Sequence, residues 1–124
     1  MDISTAFVLL ALLQVKHMFA DFYMQTPRML SDRGVYIHSG RVMHCLVHSA
    51  GSAVALFLVA APLGMILLLL VVEWLLHYHI DFAKGAWSNR KDHGPEEASY
   101  WRAFGMDQML HGLTYLGMVW VLLP

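Results

Sequence analysis

Residues 7–25 read FVLLALLQVKHMFADFYMQ. The first half is apolar enough for a membrane, yet the second half sets His17 and Asp21 four residues apart. Gln14 lies one turn before that pair and Gln25 one turn after it. On a helix these four residues fall along one stripe. A greasy helix with an ionisable spine has to bury that spine against partners, and the rest of the chain is read for them.

The composition limits the class. A chain of 124 residues fits one domain. It is 58% hydrophobic and 14% charged, with a mean hydropathy of +0.52. That is too apolar, and too poor in charge, for an ordinary soluble domain. A net charge of −1 with eight Lys and Arg leaves no basic face, so nucleic acid is not an expected partner. Cys45 is the single cysteine, which excludes an intramolecular disulfide and a cysteine zinc cluster. MDISTAFVLL has no basic start and no small-residue cleavage site, so it reads as a membrane helix rather than a removable signal.

Four membrane helices are expected in one domain spanning 1–124: about Ile3 to Gln25, Val42 to Ala61, Met65 to Ala83 and Trp101 to Leu123. Each approaches the roughly 20 residues that cross a bilayer core. Pro27 stops the first, APLG (61–64) turns between the second and third, and two polar loops complete the connections. Arg28, Arg33, Arg41, Lys84, Arg90, Lys91 and Arg102 all lie in or beside those two loops. The positive-inside rule therefore puts the loops in the cytoplasm and both termini on the non-cytoplasmic side of a bacterial inner membrane. The fold class is all-α, an antiparallel four-helix transmembrane bundle.

Each helix carries one pair of metal-ligand types at i, i+4: His17 and Asp21, His44 and His48, His77 and Asp81, Asp107 and His111. That spacing projects both members from one face. Counting about 1.5 Å per residue from the far face, His17, His48, His77 and His111 all reach a depth of roughly 18–22 Å. Eight groups thus converge on one layer near the cytoplasmic ends. A lone membrane histidine usually bonds a neighbouring helix, but an Asp costs about 2.5–3.5 kcal/mol near a helix centre, which argues for a purpose. An uncoordinated polar network is the rival reading. Five His and three Asp suit zinc foremost, with manganese or iron next, and eight ligands suit two ions sharing a carboxylate. Gln14, Gln25, Gln108 and Glu73 are candidate partners for the spare ring nitrogens.

The remaining polar residues receive plainer roles. Lys16 is expected to snorkel to the headgroups, His38 and His93 to be solvated in loops, and His79 to sit at the interface. Cys45 reads as packed thiol, Ser49 and Ser52 as packing residues, and Trp87, Trp101 and Trp120 as interface anchors.

KHMFADFYMQT, HCLVHS, HYHIDFAK and FGMDQMLHGLTY together resemble the motifs of a small bacterial and phage inner-membrane family of unknown function (domain of unknown function 3307). The likeness covers nearly the whole chain. It singles out His17, Asp21, Gln25, His44, His48, His77, Asp81, Lys84, Asp107, Gln108 and His111, adding Lys84 as a support for the ligands. The pattern is more loosely similar to membrane-bound metal-dependent hydrolases.

Three functions follow from different classes. The first is a metallohydrolase acting on a lipid headgroup or a phosphoester, with Asp81, Asp107 or Glu73 as general base. The second is a metal or proton channel or transporter subunit. The third is a structural metal or haem bundle that binds a membrane-protein partner, or a second copy as a homo-oligomer.

Overall fold

The computed structural model describes residues 1–90 and 94–124; Lys91 and His93, both assigned above to a loop, lie outside the described residues. Among the described residues five helices follow in order: α1 (Ile3–Phe22), α2 (Pro27–Leu30), α3 (Ser39–Leu58), α4 (Leu63–Arg90) and α5 (Ala98–Leu122). The four long ones pack as a ring, α1 on α3, α3 on α4, α4 on α5 and α5 on α1. They alternate in direction. The apolar core joins Ala6, Leu9 and Leu13 from the start of α1 with Ala55 and Leu56 from the end of α3. It adds Ile66 and Leu69 from the start of α4 and Tyr115, Met118 and Val119 from the end of α5.

Much of the surface along the helices is apolar. Phe7, Val54, Phe57, Leu67, Val71, Leu113 and Trp120 all point outward, while the buried polar residues include five histidines of the four pairs. Three helices, α1, α3 and α4, are long and apolar enough to cross a membrane. The chain thus has the make-up of a membrane protein. The long helix α5 is diluted by Asp107, Gln108 and His111, so its hydropathy does not by itself mark a span.

The helix ends differ from the expected ones for local reasons. Helix α1 stops at Phe22, because Pro27 holds Thr26 extended and Thr26 caps a new turn, α2. Helix α3 starts at Ser39, where the buried His38 ring Nδ1 accepts from the Arg41 backbone N–H at 3.3 Å, so His38 is a cap rather than a solvated loop residue. The α3–α4 turn is made by 59–62, with Ala60 at φ 55° and Ala61 N–H returning to Leu56 O at 3.1 Å. Gly64 belongs to the first turn of α4. Helix α4 continues to Arg90 through residues expected in a loop, and α5 begins at Ala98 after Glu97.

Arg41 explains why the loop after α2 is ordered. Its side chain is buried and donates to the carbonyls of Val35 (2.9 Å), Tyr36 (2.8 Å) and Arg33. Its guanidinium also lies over the rings of Tyr78 and Phe82. Gly85 lets Arg33 O press directly on α4, since a Cβ there would collide with that carbonyl. The charge assigned above to orientation is therefore also a clamp. Arg41→Ala should strip three carbonyls of their donor at about 1–3 kcal/mol. Amides 33–37 should then exchange hydrogen at least several-fold faster while helix content holds; unchanged exchange would remove the clamp from the account.

Candidate metal centre

Because i and i+4 project from one face, each helix delivers its pair into the ring's centre. His17 (α1), His48 (α3), His77 (α4) and His111 (α5) form a closed circuit. Their neighbouring ring centroids lie 5.3, 4.1, 4.2 and 5.0 Å apart in that order. His44 lies 4.6 Å from His48 and 5.2 Å from His77. All five rings are buried. Asp21 sits between His17 (3.3 Å), His44 (3.2 Å) and His48 (3.0 Å). Asp81 sits between His44 and His77 (both 3.5 Å) and His111 (3.6 Å). The structure brings all eight expected residues together.

Hydrogen bonding divides them into two sets. In the first, Asp21 accepts from His48 Nε2–H and from Gln108 Nε2 (3.2 Å), and His17 bridges Gln108 Oε1 (3.2 Å) to the Tyr115 hydroxyl (3.0 Å). These groups satisfy one another. In the second set, His111 Nδ1–H donates to Asp107 O at 2.9 Å, which leaves the Nε2 lone pair facing the centre. That Nε2 has no partner, nor do both ring nitrogens of His77, His44 Nδ1 and Asp107 Oδ1, all of them buried. His77 Nε2 does approach Asp81 at 3.5 Å, but that contact lacks hydrogen-bond geometry.

Buried polar atoms are normally paired, and each orphan costs about 1–3 kcal/mol. Nitrogen and carboxylate orphans in one place are the donor set of a divalent cation. Ligand atoms of Asp81, Asp107 and His111 lie within 4.8 Å of one another, as do those of Asp21, His44, His48 and His77. The residues therefore fit a metal, with Asp81 between the two groups. Cys45, expected as a packed thiol, is buried and lies within the same 4.8 Å reach of His77 and Asp81.

The supporting residues sort differently. Gln108 also donates to Asp107 (3.2 Å), and Lys84 Nζ donates to Asp107 Oδ2 at 2.8 Å. Gln25, beyond the end of α1, accepts from Arg33 at 2.7 Å and anchors the loop instead. Gln14 is exposed, beside Gly112. Glu73 Oε1 accepts from Lys16 Nζ (2.6 Å) and Ser52 (2.8 Å), one turn deeper than the histidines, and its buried Oε2 has no hydrogen-bond partner. Lys16 does not snorkel. It turns inward to Glu73 and the His48 carbonyl (3.3 Å), its ammonium over the Tyr115 ring. Tyr115 itself was missed, although it continues the Asp107–His111 stripe by four more residues.

Residues 8–123 match the model of a family described as "Protein of unknown function (DUF3307)", and the chain belongs to that family. No curated protein and no solved structure matches it.

The Lys16–Glu73 pair yields a thermodynamic test. Lys16→Met strands a carboxylate deep in the bundle and should cost about 3–5 kcal/mol in detergent unfolding. Combining it with Glu73→Gln should recover most of that loss. A double variant as unstable as the sum of the single ones would mean that the two side chains do not interact.

Proposed function

We propose that this protein is a metal-dependent hydrolase of the bacterial inner membrane, acting on a phosphoester or a lipid headgroup ester. The observation that carries the reading is the set of unpartnered, buried donor atoms on His77, His111 and Asp107 beside Asp81.

The topology is part of the proposal. Helix α5 is the fourth span, because its outward residues Leu113, Leu116 and Trp120 are as exposed and apolar as those of the other three. Basic residues crowd the end that carries the two loops, with none at the end shared by the termini and the α3–α4 turn. By the positive-inside rule the loop end is cytoplasmic and the termini are not. The histidine layer then lies in the cytoplasmic half of the membrane.

Asp81, Asp107 and His111 would hold one ion, and Asp21, His44, His48 and His77 a second, zinc being the best match to the donors. Bound ions would supply a polarising charge for a phosphoryl or acyl oxygen and would acidify water. Asp107 or Asp81 would take the proton: Lys84 and Gln108 hold Asp107 Oδ2, which leaves Oδ1 either for the ion or for the proton. Gln108 Nε2 also ties Asp107 to Asp21, donating to both carboxylates at 3.2 Å. The Tyr115 hydroxyl at His17 Nδ1 and Lys16 Nζ at His48 Nδ1 (3.3 Å) would orient those two rings from behind.

Transport is the weaker reading, because the other half of the bundle is plugged by Leu9, Leu13, Leu56, Leu69 and Met118. A structural bundle draws on the self-sufficient hydrogen bonds around Asp21. Elemental analysis of detergent-purified protein separates these. Two equivalents of zinc, manganese or iron are expected in wild type. Asp107→Ala should lose one and His48→Ala the other, and a chelator should abolish ester hydrolysis until the metal is restored. Protein that holds no ion after reconstitution with each metal would sink the hydrolase.

A further inference from the structure

A groove of about 440 Å³ runs between α4 and α5 on the outside of the bundle. Ile80, Ala83, Met106 and Leu110 supply apolar wall, and Lys84, Arg102 and Asp107 supply the polar positions. A second cavity, of about 370 Å³, lies toward the loops. Asp21, Gln25, Arg33, Asn89 and Gln108 are among the polar residues that line it. Lys84 lines both. It also joins His44 and Asp81 around a third, small cavity, and it donates to Asp107. One cation therefore stands where a greasy space, a polar space and the candidate metal ligands meet.

A soluble phosphoester would need only the polar cavity, and a purely apolar guest only the groove. A molecule with an apolar half and a polar half joined by an anion fits the whole. Resting on the hydrolase reading, we propose that the substrate is an anionic glycerophospholipid that enters sideways from the cytoplasmic leaflet. One acyl chain lies along Ile80, Ala83, Met106 and Leu110. The phosphate sits between Lys84 and Arg102, and the headgroup reaches toward Arg33 and Asn89. Asp107 shares the groove with the chain and the hydrogen bond with Lys84, which puts the phosphate ester beside one of the two carboxylates that would take the proton. Hydrolysis of the phosphodiester breaks one P–O ester bond. Water gives its hydroxyl to phosphorus and a proton to the departing alcohol. The basic pair accounts for the headgroup charge, since juxtamembrane Lys and Arg attract anionic lipid.

The test reads binding apart from chemistry. Chelator-treated full-length protein in nanodiscs is photolabelled with phosphatidylglycerol or phosphatidylcholine carrying a diazirine on the acyl chain. Labels should concentrate on the α4–α5 groove, with phosphatidylglycerol favoured about fivefold, the discrimination of one basic residue near a membrane surface. Arg102→Gln should bring the two lipids close to parity without changing metal content, and Leu110→Trp should block labelling of the groove. Labels spread evenly over all four outward faces, or no headgroup preference, would overturn the proposal. Displacement of the probe by free glycerol phosphate would overturn it in favour of a soluble phosphoester. Because the protein is metal-free here, a failed metal assay leaves this result standing, and a bound metal with an unlabelled groove defeats the lipid alone.

Discussion

An ionisable side chain in a low-dielectric interior has to find a partner or lose its charge, and that constraint organises this bundle. Asp21 on α1 meets His44 and His48 on α3. Lys84 on α4 meets Asp107 on α5, and Gln108 and Tyr115 on α5 return to His17 on α1. Lys16 crosses the bundle to Glu73 on α4. In lipid there is little hydrophobic drive for helices to associate, so polar contacts and close packing must specify neighbours. These contacts link helix to helix around the ring, and one pair locks its diagonal.

The molecule is consequently two halves with different jobs. Near the termini, Leu9, Leu13, Leu56 and Leu69 fill the interior without a polar atom among their side chains. Near the loops, histidines and carboxylates take their place at the same radius. Burying so many such groups is tolerable only because most satisfy one another. Among the described residues the exceptions within the histidine layer are on His44, His77, Asp107 and His111, and others lie on His38, Ser49, Glu73 and Trp74. A packing network of this size would be expected to close on itself. The concentration of unpaired ring nitrogens and a carboxylate oxygen within the histidine layer is the reason to look for an ion there.

The loop end adds access. Arg41 pins the α2–α3 segment against α4 from one side, so the histidine layer is covered there. Lys84 borders the spaces that remain beside it, the α4–α5 groove and the polar cavity.

Much of this was legible in one dimension. The apolar runs, the four i, i+4 pairs, their equal depth and the basic loops follow from residue order, because helical period and rise are fixed by backbone geometry. The same order placed Gln108 near the pairs, and the family resemblance added Lys84. Residue order could not decide the partners. Lys16 neighbours His17 in sequence but points about a quarter-turn away, so only the rotation and packing of α1 show whether it meets lipid or Glu73. Arg41 reads as one of seven cations until the loop folds back under it. Tyr115 reads as one more aromatic until His17 arrives from another helix, and Gln14 and Gln25 share the stripe yet end outside the cluster. Residue order is enough to say which residues share a helix face and how far along the helix they lie. The tertiary structure alone decided which of them are paired and which donor atoms remain free, because those depend on distances between helices that no period along one helix encodes.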